Sequence, residues 1–174
     1  MTRTKTTHIR RICGTAATAL LAIGLTAVTA APARAASLYF SLVAEHSGKC
    51  LDVYGASTAD EANVQQYTCH GGPNQQWRLA YMGGGYFEII SANSGKCLDV
   101  YRAFVADETN VQQYRCHGGP NQLWRFSYNS DGTRLIIAKH SGKCLDVYGA
   151  FVADETNVQQ YTCHGRTNQQ WRLR

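Results

Sequence analysis

An aspartate, a tyrosine, a histidine and several side-chain amides recur three times along this chain at fixed offsets. The first set is Asp52, Gln65, Tyr67, His70, Asn74 and Gln75. The second is Asp99, Gln112, Tyr114, His117, Asn121 and Gln122, and the third Asp146, Gln159, Tyr161, His164, Asn168 and Gln169. These residue types suit a polyhydroxylated ligand. A fixed carboxylate can accept charge-assisted hydrogen bonds from vicinal hydroxyls, and the amides of Asn and Gln donate and accept as hydroxyls do. A tyrosine ring covers the apolar C–H face of a pyranose at little entropic cost. The expected site is a shallow polar cradle with one aromatic platform, built three times.

Two other uses of these residues compete. Asn74 and Gln75 open an N-Q-x-W run that reads as a turn leading into a strand, and Gln65 could line the core. Acid–base catalysis would need more: glycosidases use two carboxylates, and each recurring set above holds a single Asp. No catalytic residue and no cofactor is expected.

The cysteines explain how such a set could be held together. Of seven, Cys13 lies near the start of the chain, and the other six form three couples 19 residues apart. Six cysteines allow fifteen connectivities, but near-identical copies should close identical local loops. The expected bridges are Cys50–Cys69, Cys97–Cys116 and Cys144–Cys163, each contributing about 3 kcal/mol on chain-entropy grounds. Asp52 stands two residues beyond one half-cystine while Tyr67 and His70 flank the other, so bridging gathers acid, ring and imidazole at one end of a hairpin. Cys69, Cys116 and Cys163 are each followed by His, but the short ligand spacings of zinc sites are missing. No metal is expected.

The elements that must carry these residues follow from repetition. Segments 94–126 and 141–173 differ at six of 33 positions, and segment 47–79 differs from the third copy at five. In each copy the pattern predicts four short strands, for the first near 39–43, 49–53, 63–68 and 75–79. Gly, Ser, Asp and Asn cluster between them as hairpin turns require, and no helical period is evident. Repeats of about 38–84, 85–131 and 132–174 then give twelve strands. A propeller of three blades would be unusually small. An all-β, threefold β-trefoil, a six-stranded barrel closed by three hairpins, leaves no exposed sheet edges. Leu51, Val53, Val64, Trp77 and Leu79 read as core, with Asp52 alternating outward. The three tryptophans, Trp77, Trp124 and Trp171, are expected to pack near the pseudo-threefold axis.

Residues 1–35 combine a basic start, an apolar run from about Gly14 to Ala30 and the small-residue end Ala33-Arg34-Ala35. They predict a secretory signal peptide cut before Ala36. The run is too rich in Ala, Thr and Gly for a membrane anchor, and the surroundings of Arg10-Arg11 match twin-arginine export poorly. This segment holds five of the 17 Lys and Arg and none of the 12 Asp and Glu. The remaining 139 residues, 36–174, therefore balance twelve against twelve. Their neutrality argues against nucleic acid as a partner, and their number suits one domain.

The runs G-K-C-L-D-V, V-Q-Q-Y-x-C-H and N-Q-x-W resemble the QxW repeat of ricin B-type lectins over essentially all of 38–174. Tyr with His in place of the family's frequent Trp is similar to family 13 carbohydrate-binding modules. The resemblance implies sugar binding through Asp52, Gln65, Tyr67, His70, Asn74 and their equivalents. It implies a secreted, monomeric lectin for polysaccharides bearing xylose, arabinose or galactose. A β-trefoil protease inhibitor or a protein-binding toxin subunit is the rival reading. Departures are Arg102 for Gly in copy two, Arg166-Thr167 for Gly-Pro in copy three, and Leu123 for Gln.

Overall fold

The computed structural model describes residues 1–2 and 38–174, so the expected export signal lies outside the described residues save its first two. Twelve strands run in chain order. They are β1 (Leu42–Ala44), β2 (Cys50–Val53), β3 (Val64–Tyr67), β4 (Trp77–Tyr81), β5 (Phe87–Ser91) and β6 (Cys97–Val100). There follow β7 (Thr109–Tyr114), β8 (Trp124–Tyr128), β9 (Arg134–Ala138), β10 (Cys144–Val147), β11 (Thr156–Tyr161) and β12 (Trp171–Leu173). One boundary departs from expectation for a clear reason. Gln75, expected to open β4, lies in a 3-10 turn, Pro73–Gln75, closed by its N–H on the Gly72 carbonyl at 2.9 Å; proline favours the first position of such a turn but is not required, since Thr167 opens the same turn in copy three.

All pairings are antiparallel and close into two rings. β1 pairs β12, which pairs β9; β9 pairs β8, β8 pairs β5 and β5 pairs β4. A bridge between Phe40 and Trp77 returns the ring to the segment before β1. The hairpins β2–β3, β6–β7 and β10–β11 form the second tier. There β11 pairs both β3 and β7, and Asn63 bridges Gln112. Six barrel strands capped by three hairpins make a β-trefoil.

Leu51, Val53, Val64 and Trp77, with their equivalents, are wholly buried, and Leu79, Phe126 and Leu173 pack against them half-buried. Each tryptophan keeps its indole N–H satisfied: Trp77, Trp124 and Trp171 donate to the carbonyls of Leu51, Leu98 and Leu145 at 3.1, 3.0 and 3.1 Å. An unpaired N–H at that depth would cost about 1–3 kcal/mol.

A second glutamine in each V-Q-Q-Y run joins neighbouring copies. Gln66 accepts from Ser47 Oγ at 2.7 Å and donates to the carbonyls of Phe151 and Ala153 at 2.8 and 2.9 Å. Gln113 does the same towards Ser57 and Ala59, and Gln160 towards Phe104 and Ala106. Copy one thus grips copy three, copy two grips copy one, and copy three grips copy two.

Candidate functional site

Leu51 and Val53 face the core, so strand alternation turns Asp52 to the other face of β2. That face is covered as well: Asp52 is only 2% exposed, which corrects the expected outward position. Its Oδ1 accepts Gln65 Nε2 at 3.1 Å, and its Oδ2 accepts Asn74 Nδ2 at 2.7 Å and Gln75 Nε2 at 3.0 Å. His70 Nε2 stands 3.6 Å from the same Oδ2. Asp99 and Asp146 repeat the arrangement with Gln112, Asn121, Gln122 and with Gln159, Asn168, Gln169. A carboxylate offers about four acceptor positions, and three amide donors occupy most of them. The acceptor position left open is on Oδ1. Burial raises the pKa of Asp52, Asp99 and Asp146, and the amide donors and the adjacent histidine oppose that rise.

The glutamines at 75, 122 and 169 do not reach ligand space. Gln75 is fully buried, donates also to the Thr68 carbonyl at 3.1 Å and accepts the His70 N–H at 2.8 Å. Gln122 and Gln169 make the same bonds. They correct the expected sugar-contact set: these residues brace the aspartate and the histidine loop. Asn74 is intermediate in role. Both its N–H groups are spent, on Asp52 and on the Val53 carbonyl at 3.2 Å, which leaves its carbonyl oxygen for a ligand.

An open cleft of about 480 Å³ lies over this framework, lined by Asp52, Gln65, Tyr67, His70 and Asn74 as the sequence suggested. The Cys50–Cys69 bridge, with Cα atoms 5.1 Å apart, fixes β2 to the loop bearing His70, and the rings of Tyr67 and His70 meet edge to face at 6.1 Å. All three bridges join the expected partners. The equivalent clefts measure about 300 Å³ in copy two and 410 Å³ in copy three. All three fall in the range that holds small ligands.

Two wall residues were missed in the sequence. Tyr54, in the 3-10 turn Tyr54–Ala56 after β2, is 54% exposed and adds a second aromatic surface. Tyr101 and Tyr148 do likewise in the other clefts; their recurrence directly after L-D-V was the available signal. Glu155 lines the first cleft but comes from copy three. Glu61 of copy one lines the second cleft and Glu108 of copy two the third. All three sit in the left-handed region, at φ 64, 64 and 63° for Glu155, Glu61 and Glu108, which costs a non-glycine residue about 1–2 kcal/mol. The inter-copy clamp holds them there, since Glu155 N–H donates to the Gln66 carbonyl at 3.0 Å and Glu61 and Glu108 repeat the bond to Gln113 and Gln160.

In the third copy Arg166-Thr167 keeps the turn, Thr167–Gln169, and Asn168 still donates to Asp146 at 2.9 Å. The loop shape survives the change, with the Tyr161 and His164 rings tilted at 56° rather than 74°.

Barrel, hairpin cap and three peripheral clefts of one construction define a β-trefoil of the lectin class. The chain belongs to the ricin-type beta-trefoil lectin domain family, whose model matches residues 38–173. Among solved structures, it is similar to ThreeFoil, a designed threefold-symmetric protein, at 53% identity and TM-score 0.77, over 78% of this chain and 96% of that one. It is similar to the exo-β-1,3-galactanase 1,3Gal43A of Clostridium thermocellum at 39% identity and TM-score 0.76, over 78% of this chain but 29% of the enzyme. The Rhizoctonia solani agglutinin matches at 25% identity and TM-score 0.71, over 82% and 98%.

Proposed function

We propose that this protein is a secreted, non-catalytic, monomeric lectin whose three clefts hold sugar residues of a polysaccharide. The observation that carries this reading is the threefold recurrence of one cleft, in which two tyrosines face hydroxyl-matching groups around a buried aspartate. Tyr54 and Tyr67 present aromatic surface to a pyranose C–H face. Asp52 Oδ1, the Asn74 carbonyl, Gln65, His70 and Glu155 offer acceptors and donors to its hydroxyls. Xylose, arabinose and galactose units are the candidate ligands, and the relative that is a β-1,3-galactanase makes galactan the first polymer to try.

One such cleft binds weakly, with Kd on the order of millimolar or about 4 kcal/mol. Three at fixed separation turn later contacts into intramolecular events and raise avidity by roughly 10² to 10⁴ on a polymer. Tyr54→Ala alone should weaken polymer binding by about threefold to tenfold, in line with one lost aromatic contact. Tyr54→Ala, Tyr101→Ala and Tyr148→Ala combined should remove measurable binding in affinity electrophoresis. A folded triple variant that still binds would defeat the reading.

Glycoside hydrolysis is a second reading, because each cleft pairs its aspartate with a glutamate from the next copy. Three amide donors aimed at Asp52 occupy the lone pairs a nucleophile would need. Purified protein should therefore release no reducing sugar from xylan, arabinan or galactan. Release that disappears with Glu155→Gln, Glu61→Gln and Glu108→Gln would replace the lectin reading by an enzyme.

A further inference from the structure

Three of the differences between copies bring an arginine to or beside a cleft and change its charge. Copy two has Arg102 where the others have Gly55 and Gly149, and Arg115 where they have Thr68 and Thr162. Copy three has Arg166 where the others have Gly72 and Gly119. Arg102 lines the second cleft, its guanidinium 5.0 Å from the Tyr101 ring centroid. Arg115 stands 5.3 Å over Tyr114 and donates from Nη2 to Tyr114 Oη at 3.1 Å. Both tyrosines of one cleft thus carry a stacked cation. Arg102 holds this place at φ 50°, a left-handed conformation that suits the glycines of the other copies and costs arginine free energy.

These cations are available to a ligand. Stacking engages the face of a guanidinium and leaves its N–H edge for other partners, of which Arg115 spends one N–H on Tyr114 Oη, and among the described residues neither Arg102 nor Arg115 has a carboxylate within the 4.0 Å of an ion pair. The acids of the cleft are Asp99, largely taken up by its amide donors, and Glu61 on the far wall. Arg102 in the cleft lining, with Arg115 beside it on the Tyr114 wall, therefore offsets these two anions; the nearby Asp60 is paired with Lys96. The first cleft sets Asp52 and Glu155 against no arginine, and the third sets Asp146 and Glu108 against Arg166 alone. The histidine is common to all three and cancels in the comparison.

We propose that the second cleft is an acidic-sugar site, in which Arg102 and Arg115 hold the carboxylate of a uronic acid residue, while the first cleft takes a neutral sugar and the third is intermediate. The planar fork of a guanidinium matches a carboxylate in a way that neither Gly nor Thr can. The natural ligand is then a polysaccharide that carries neutral and uronic residues together. This inference rests on the lectin reading above.

The test compares a glucuronic-acid-substituted xylan with the same polymer after its carboxyls are reduced to alcohols, so that charge alone differs. The wild type should bind the acidic polymer about threefold to tenfold more tightly, the scale of one or two exposed ion pairs, and 0.5 M salt should shrink the ratio. Arg102→Gly with Arg115→Thr, the residues other copies carry at those places, should bring the ratio down towards one. The reciprocal pair Gly55→Arg with Thr68→Arg should raise it. Equal binding of the two polymers by the wild type, or a preference that survives in the Arg102→Gly/Arg115→Thr variant, overturns the acidic site while leaving the lectin reading in place. Failure of the folded wild type to bind either polymer removes both.

Discussion

The aspartate that looks most like a ligand group is also a keystone, and that changes how the site should be probed. Removing Asp52 leaves the buried amides of Gln65, Asn74 and Gln75 without their acceptor, at about 1–3 kcal/mol for each unpaired donor. Asp52→Ala should thus lower the unfolding free energy by at least about 2 kcal/mol in urea titration, whereas Tyr54→Ala, at an exposed ring, should change it little. Loss of binding in the tyrosine variant reports on the ligand; in the aspartate variant it reports on both. Because burial raises the Asp52 pKa above its ordinary 3.8, binding should fall away on acidification at a pH higher than a free aspartate would give. A pH series of galactan affinity checks this, and binding that holds constant down to the ordinary aspartate value speaks against a carboxylate acceptor. Asp52, Tyr67 and His70 were legible because a 19-residue bridge forces them together. Gln75 was misjudged because spacing says nothing of which way an amide turns, and here a 3-10 turn aims it inward, as it does Gln169 in copy three.

Between elements, the copies are held by buried glutamines and by exposed ion pairs. Gln66 is fully buried with three bonds, two of them to copy three. Gln66→Leu keeps the volume but orphans two carbonyls, and should cost at least about 2 kcal/mol in denaturant unfolding. Lys49–Asp154, Lys96–Asp60 and Lys143–Asp107 add pairs at 2.6, 2.7 and 2.6 Å across the same junctions. The lysine partners lower the pKa of all three aspartates. Their stabilisation is complete above the ordinary value of 3.8 and is lost as pH falls through the lowered folded values. The raised Asp52, Asp99 and Asp146 act in the opposite sense, their ionisation weakening the fold as pH rises through their shifted values. Asp60→Asn, Asp107→Asn and Asp154→Asn together should therefore flatten the acid side of the plot of thermal midpoint against pH; an unchanged slope would mean these pairs contribute nothing. Strand number and order were readable from the repeat and its period-two alternation, as Leu51 and Val53 demonstrate. The junctions were not: Gln65 and Gln66 look alike in sequence, and which one meets a neighbouring copy is decided by closure of the barrel.

At the scale of the molecule, each cleft belongs to two copies, because the glutamate on its wall is supplied by the preceding copy in a cycle. No single copy could build it. The three-copy architecture was legible from near-identical segments, but the glutamate was not, since its role appears only when chains far apart in sequence are clamped side by side. With Tyr101→Ala and Tyr148→Ala silencing two clefts, Glu155→Gln in copy three should weaken the surviving first cleft by several-fold, whereas Glu61→Gln should not. The most direct measurement is a crystal of the protein soaked with a short neutral oligosaccharide. A sugar ring lying against Tyr54 or Tyr67, within hydrogen-bonding distance of Asp52 Oδ1 and the Asn74 carbonyl and repeated at the equivalent clefts, is what the account predicts. Clefts left empty at concentrations that saturate the protein in solution, or sugar bound elsewhere on the barrel, would contradict it.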